Sequence, residues 1–446
     1  MQNTIDMVHS IQQLAQQQNL DEVLTQIQHL NAADIALILQ ALDISVQVSL
    51  LHMLENKAEV ITFYPLEAQI ELAQHLPIQD LAEMIEHMHS DDSVDIVKAV
   101  SPIIQKQLYT RLSLSKRIQI RALAAYKEES AGAIMSLDFA TLPEGFSIQQ
   151  GLDYLRESAS NPATLYEIYI VNAVRQLQGV ISLREMVLAP PDALIQSVMT
   201  TELIYAYADD DQESVANKLS HYDFIALPIV DREGCLLGIV TYDDAMDVVN
   251  EETTEDFLKA SAVSTTTKMS MKTAPILLLY QKRVFWLVFL VFGSLLSGLG
   301  IAHYEDIIAA NLVLVFFLPL LVGSGGNAGS QSATLMVRAL ATGDVHFRDW
   351  FKLLGREILV ALCLGGTMAA AVSLLGYFRG DIMVALVLAL SMIGIVMMGC
   401  LIGMSLPFIL QKLKLDPASA SAPLVTSICD AAGVLVYLFI ASQLLL

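Results

Sequence analysis

Five long apolar runs limit this chain more than any other feature of its sequence. They are "VFWLVFLVFGSLLSGLGIA" (284–302), "IIAANLVLVFFLPLLVGS" (307–324), "ILVALCLGGTMAAAVSLLGYF" (358–378), "IMVALVLALSMIGIVMMGCLIGMSLPFIL" (382–410) and "PLVTSICDAAGVLVYLFIASQLLL" (423–446). Each reaches the roughly 18–20 residues that an α-helix needs to cross a bilayer. Lipid offers no partner to a backbone N–H or C=O, so a run of this length must satisfy its own backbone as a helix. An odd number of spans is expected to leave the two ends on opposite sides.

The loops carry the orientation signal. Lys282 and Arg283 precede the first run, while the "HYED" that follows it has no Lys or Arg. Arg338, Arg348, Lys352 and Arg356 lie between runs two and three, Arg379 alone in the next loop, and Lys412 and Lys414 before run five. This alternation of rich and poor loops predicts a multi-pass protein of the cell membrane with a cytoplasmic N-terminus and an outside C-terminus. The opening "MQNTIDMVHSIQQLAQQQ" lacks an apolar core of its own, which agrees with that orientation.

Composition matters here because the net charge of −22 is unevenly placed. Residues 275–446 hold nine Lys/Arg and eight Asp/Glu, which leaves 16 basic and 39 acidic residues for 1–274. A soluble half of net −23 is a poor ligand for nucleic acid and a good reservoir for cations. The cysteines, Cys235, Cys363, Cys400 and Cys429, show no metal-binding spacing.

Within the soluble half, residues 1–130 have helical periodicity throughout. "AADIALILQALDISVQVSLLHML" and "PIQDLAEMIEHMHSDDSVDIVKAV" place apolar residues at i, i+3, i+4 and i+7, with Asn31, Asp34, Asp91 and Asp92 near the starts of runs. From 131 an internal repeat of about 60 residues takes over. Its copies, 131–195 and 196–247, share an upstream element ("AGAIMSLD", "QSVMTTEL"), two apolar strands, a glycine entry and a Ser or Thr that starts a helix. The pattern resembles a tandem CBS-domain pair. Some such modules bind adenosine nucleotides through G-h-h-T-x-x-D, which makes Gly238, Thr241 and Asp244 candidates, with Gly179, Ser182 and Glu185 in the first copy. Other such modules bind no nucleotide, and Glu185 departs from Asp.

Behind the second copy comes "TYDDAMDVVNEETTEDFLKA", within an acidic connecting segment expected at 248–274. On a helix, Asp244, Asp247, Glu251, Glu252 and Glu255 form one stripe, and like charges at i+3 and i+4 repel. Either the stripe is a solvated face, or divalent cations neutralise it and link it to other carboxylates. Asp91, Asp95, Glu213, Asp223 and Asp416 are available as partners.

Two features of the apolar half point to ion passage. "PLLVGSGGNAGSQSATL" predicts a broken helix whose Pro319, Asn327 and Gln331 lie near a pore, or else close helix packing through Gly325-x-x-x-Gly329. Asp430 stands alone in the last run, where a carboxylate costs about 2.5–3.5 kcal/mol on insertion scales. It is followed by Ala431, Ala432 and Gly433, which allow close approach of another backbone. Five spans make a small conduit, and a symmetric dimer would bring two copies of Asp430 to one axis. Such a pair suits a dication that keeps several waters, as Mg²⁺ does.

Order and spacing of these elements resemble the MgtE family of magnesium channels and transporters along essentially the whole chain. The resemblance implies a mixed fold: an all-α superhelical cytoplasmic domain, an α/β CBS pair, a connecting or plug helix and five transmembrane helices. It implies a homodimer with the pore between subunits, Asp430 and the backbone near Gly433 binding the permeating ion, and closure when intracellular Mg²⁺ is high. By matched positions the sensor ligands would be Asp223, Asp244, Asp247, Glu252, Glu255, Asp256 and Asp416, with ATP at the CBS pair a further option. The alternative is a secondary transporter coupled to protons or Na⁺, with Asp430 as the carrier site. The chain has neither HExxH nor a second Asp inside an apolar run, so no intramembrane protease, and no enzyme, is expected.

Overall fold

The computed structural model describes residues 11–15, 17, 19–158, 164–264 and 275–445. The last part of the expected connecting segment, 265–274, therefore lies outside the described residues, as do 1–10. The chain divides into two compact units, Met1–Glu252 and Thr253–Leu446.

In the first unit, short helices follow one another from α1 (Leu20–Ile27), α2 (Ala32–Gln40), α3 (Ile44–Met53), α4 (Lys57–Thr62), α5 (Leu66–His75) and α6 (Ile78–His87) to α7 (Ser90–Ala99), α8 (Pro102–Arg111) and α9 (Leu114–Leu123). Their apolar faces share one core that includes Ile35, Leu39, Leu51, Ile61, Leu72, Ile85, Val97 and Leu108. Each helix packs on the next but one (α5 on α7, α6 on α8, α7 on α9), the arrangement of a superhelix. Asn31 caps α2, its side chain accepting from Asp34 N at 2.8 Å. Asp91 and Asp92 sit inside the first turn of α7, and His89 occupies the cap position.

The internal repeat folds twice into the same small sheet. After α10 (Ala131–Ile134), β1 (Phe139–Pro143), α11 (Ile148–Ser158), β2 (Thr164–Val171), β3 (Leu177–Ser182) and α12 (Leu183–Leu188) make the first copy. The second is β4 (Ala206–Tyr207), α13 (Gln212–Tyr222), β5 (Ala226–Val230), β6 (Leu236–Thr241) and α14 (Tyr242–Ala260). In both, the first strand pairs in parallel and the third antiparallel to the middle one. The upstream elements cross over. Ser136 of the first copy exchanges backbone bonds with Ile239 of the second, and Thr200 of the second with Val180 of the first. This crossing explains both strand glycines. A Cβ at Gly238 would lie 2.8 Å from Ser136 O, and one at Gly179 would collide with the Met199 side chain.

The helix α14 is continuous from Tyr242 to Ala260, so the boundary expected between 247 and 248 falls inside one helix. Nothing in "DDAMDVVNEETTEDFLKA" breaks helical geometry, since it holds neither Gly nor Pro.

The second unit contains α15 (Ile276–His303), a short α16 (Glu305–Ala310), α17 (Val313–Ala341), α18 (Trp350–Arg379), α19 (Ile382–Lys412) and α20 (Ala422–Leu445). All but α16 are long and apolar enough to cross a membrane. The second span begins at Val313 rather than 307, because 305–310 form the separate α16.

The expected interruption of the second span is absent: α17 runs through Gly323, Gly325, Gly326 and Gly329 without a break. Its glycines accommodate another helix. A Cβ at Gly399 of α19 would collide with Gly325 O, one at Gly403 with Gly329 O, and one at Gly329 would lie 2.8 Å from Gly399 O. Two small-x-x-x-small faces thus bring the backbones of α17 and α19 into contact. That contact offsets the helix cost of Gly, about 1 kcal/mol each, whereas opening the helix in lipid would strand backbone groups at several kcal/mol apiece.

Candidate ion site

Asp430 lies in the second turn-pair of α20, against α17. One of its oxygens, Oδ1, is enclosed and has no hydrogen-bond partner among the described residues. The facing residue is Gly326, where a Cβ would sit 3.3 Å from that oxygen. One turn along α17, Ser330 donates to Ala422 O at 3.2 Å and lies 3.1 Å from the Thr426 hydroxyl. Gly326, Ser330 and Thr426 therefore make a small, polar wall beside the carboxylate, which the sequence reading had not singled out.

The same helix exposes a polar stripe. Asn327, Gln331 and Thr334 recur at i, i+4 and i+7 and are exposed, as is Pro319 two turns earlier. A helix that faces lipid does not carry amide side chains there at low cost. On the other side of α17, Ser332 is buried and donates to Glu357 of α18 at 2.5 Å. Gly433 is buried, and a Cβ there would lie 3.5 Å from the Ile395 side chain and 3.9 Å from the Val322 backbone. The first span, α15, leaves Phe285, Leu287, Phe289, Phe292 and Leu296 exposed.

A second acidic locus lies in the soluble unit, where the start of α7 meets the start of α14. Burial and the Asp91 charge push the Asp92 carboxyl up to about 7, with Asp95 and Asp243 adding to the rise and His89 opposing it. Asp244 is raised by burial, then by Asp91, Asp243 and Asp92. Asp91 is raised by burial, and its Oδ1 is enclosed without a hydrogen-bond partner among the described residues. Neighbouring groups supply part of the balance: His89 Nδ1 lies 3.7 Å from Asp138, and the buried Lys116 donates to Met88 O at 2.5 Å.

Further along α14, Glu252 accepts from the Gln212 amide at 2.8 Å, next to Glu213 in the first turn of α13. Asp247 lies on an exposed face of α14 one turn after Asp244. Asp223 serves locally, in the left-handed conformation (φ 53°) that ends α13. At the end of α14, Glu255 and Asp256 meet Asp416, which precedes α20 and accepts from Ala418 N at 2.8 Å. Lys259 joins this group and was missed by the sequence reading. Its ammonium is 2.5 Å from Glu255 Oε1 and 2.6 Å from Asp416 Oδ2.

Among the described residues, no three His, Cys, Asp or Glu side chains converge closely enough to hold one ion. The loci are concentrations of negative charge rather than finished ligand cages. The nucleotide candidates are each engaged within the fold. Glu185 closes a capping box with Ser182, its Oε2 accepting from the Ser182 N–H and hydroxyl at 2.8 Å each. The Thr241 hydroxyl donates to Asp244, and Gly238 is needed for the strand crossing.

With this geometry in place, comparison with known proteins is decisive. Residues 318–440 match the family model of the MgtE divalent cation transporters, 30–129 the MgtE intracellular N domain and 195–251 the CBS domain. A magnesium transporter MgtE of Thermus thermophilus is 37% identical over 353 residues, 79% of this chain and 78% of its own. The chain belongs to the MgtE family. A second MgtE, from Bacillus subtilis, is 33% identical over 74% of this chain and 72% of its own. Among solved structures, the cytosolic domain of the Mg²⁺ channel MgtE in complex with ATP is 32% identical, with a TM-score of 0.52, over 54% of this chain and 99% of that one. The MgtE fold accounts for the helical domain, the CBS pair and the five spans, and makes this a multi-pass transporter rather than an enzyme.

Proposed function

We propose that the chain conducts Mg²⁺ inward across the cell membrane through a pore between two copies of itself, with its N-terminus cytoplasmic. The observation that carries this reading is the enclosed, unpartnered Oδ1 of Asp430 beside Gly326, next to the exposed Asn327–Gln331–Thr334 stripe. A lone carboxylate in a span is costly unless a cation visits it. Pro319, Asn327 and Gln331 line the path, and the backbone near Gly433 assists Asp430. The relatives named magnesium transporters support Mg²⁺ as the substrate.

A second copy is supported by what one copy leaves uncovered. The polar stripe of α17 needs cover from lipid. In the soluble unit, Tyr242 (51% exposed) and Met246 (41%) lie one turn apart on α14, with Val249 close behind. Control resides in the acidic loci: Mg²⁺ at Asp91, Asp95, Asp244 and Asp247, at Glu213, Asp223 and Glu252, and at Glu255, Asp256 and Asp416 stabilises the closed state. Nucleotide binding at the CBS pair is a separate proposal, favoured by the ATP complex of the related cytosolic domain. It requires Glu185 or Asp244 to exchange an internal hydrogen bond for a ribose.

The test is Mg²⁺ uptake by the purified protein in liposomes, with Mg²⁺ varied on the inner face. Uptake that ceases in Asp430→Asn and falls as inner Mg²⁺ rises supports the reading. Uptake that collapses along with the proton or Na⁺ gradient would replace the channel by a coupled transporter.

A further inference from the structure

The entry edge of α18 carries cations that the fold leaves unanswered. Arg348, Lys352 and Arg356 recur every fourth residue, from the turn Phe347–Asp349 into the first part of α18, and all three are exposed. Like charges at that spacing repel one another. Two carboxylates adjoin the stripe, and both are engaged elsewhere. Asp349 Oδ2 accepts from His346 N at 3.0 Å, and Glu357 Oε1 accepts from the Ser332 hydroxyl of α17 at 2.5 Å. Among the described residues, none of the three cations forms an ion pair. Lys412, at the end of α19, adds a further charge, its ammonium 5.9 Å from the centre of the Phe347 ring. A surplus of Lys and Arg at one end of a span sets orientation, but orientation does not require them to share a face.

This face offers a seat as well as charge. Gly355 lies between Lys352 and Arg356 on the helix surface, and a Cβ there would meet nothing within 4 Å. The open position is therefore a notch flanked by two cations. Toward the helix start, Phe351 is 79% exposed, and its ring lies 4.8 Å from that of Trp350, an aromatic pair suited to the headgroup level. In the other direction, Leu359 and Leu362, one and two turns beyond Gly355, are exposed and carry the face into the apolar span. The surroundings of such a helix are phospholipid, so what the chemistry decides is the headgroup. A zwitterionic headgroup brings a cation of its own toward a stripe that already repels itself. An anionic one brings only the phosphate, whose oxygens match a guanidinium fork.

We propose that the notch over Gly355 binds an anionic phospholipid, its phosphate held by Lys352 and Arg356 with Arg348 one turn away, and its acyl chains along Leu359 and Leu362. The site is separate from the ion path and does not depend on which ion the chain carries. Occupancy relieves the repulsion along the stripe and steadies α18, which Glu357 ties to Ser332 of α17.

The full-length protein in neutral detergent is mixed with equal amounts of phosphatidylglycerol and phosphatidylcholine, and the lipids it retains are counted by native mass spectrometry. The unmodified chain is expected to retain phosphatidylglycerol in preference. Arg348→Gln, Lys352→Gln and Arg356→Gln together should cut that preference about tenfold. The same change at Lys106, Arg111 and Lys127, exposed on the soluble unit, should leave it intact. Gly355→Leu keeps every charge, has room in the fold and favours the helix, so it should lose the preference without a fall in melting temperature. A preference that survives the α18 triple variant overturns the proposal. So does one lost equally from the soluble-unit variant, since net charge alone would then be responsible. A preference that survives Gly355→Leu overturns the seat and leaves only diffuse attraction. Displacement of the lipid by glycerol 3-phosphate would overturn the lipid in favour of a free phosphate ester.

Discussion

Two carboxylate sites in this molecule meet opposite problems. Asp430 lies in an apolar span, and its enclosed Oδ1 has no hydrogen-bond partner among the described residues, so its cost is isolation. Asp91, Asp92 and Asp244 crowd together with Asp95 and Asp243, so their cost is repulsion compounded by burial. A cation relieves both, but with different consequences. At an isolated carboxylate, a hydrated ion gains little and leaves readily, which suits passage. Between crowded carboxylates on α7 and α14, the ion's gain is the closure of two elements on one another, which suits sensing.

The two sites should differ most at Asp430. Removing a charge from a narrow path should lower Mg²⁺ uptake about a hundredfold in Asp430→Ala. The Mg²⁺-dependent rise in thermal stability of the soluble unit should stay where it was. A variant that also lost that rise would mean the two sites are one system and the contrast is false.

The next effect concerns the contact of α17 with α19. Gly403→Val puts side-chain atoms where α19 meets Gly329 O, so overpacking should cost about 2 kcal/mol in detergent unfolding. Gly298→Val on α15, where nothing lies within 4 Å, should be close to neutral. Equal losses at both positions would say that the glycines serve helix flexibility after all.

This pair of positions also shows what the sequence could and could not disclose. The spans, the acidic soluble half, the helical repeats of 20–123 and the doubled sheet were all legible, because length, charge and period are local properties. Gly325 and Gly329 were ambiguous because their meaning depends on Gly399 and Gly403 in another span, and a small residue carries no mark of its partner. Gly179 and Gly238 carry a packing role that the sequence did not disclose for a similar reason: the upstream segments that press on them come from the opposite copy. Asp430 stood out by itself, but Asp92 and Lys259 did not, since an acid in a helix's first turn and a lysine four residues after a glutamate both have ordinary local explanations. Their significance appears only once Asp244 and Asp416 are brought beside them.

Crowding is tested by removing it. Asp91→Asn, Asp92→Asn and Asp244→Asn together keep the side-chain shapes and abolish the repulsion. The Mg²⁺-free protein should then unfold later, by about 1–2 kcal/mol, and Mg²⁺ should add little further stability. In uptake assays, inner Mg²⁺ should lose part of its closing effect while Asp430-dependent flux persists. A triple variant that is less stable without Mg²⁺ would show that these carboxylates are structural partners rather than repelling neighbours.

The smallest effect is in pH, and its sign follows from Asp92. Its carboxyl is pushed up to about 7 in the folded chain, from an ordinary value near 3.8, so between those limits the folded state holds a proton that the unfolded state has lost. Stability without Mg²⁺ is therefore greatest at the acid end of that window, declines as pH rises through about 7, and levels off above it. Asp91 and Asp244 are raised as well and act in the same sense. His89, whose pKa is raised chiefly by Asp138, also loses its contribution as pH rises. Asp138 itself is lowered, so its contribution fades only in stronger acid, outside this range. Mg²⁺ binds the ionised carboxylates, so the stability it adds should grow across the same interval in which intrinsic stability falls. Melting curves from pH 5.5 to 8.5, with chelator and with Mg²⁺, should diverge as pH rises, and parallel curves would mean that protons and Mg²⁺ do not compete for this locus.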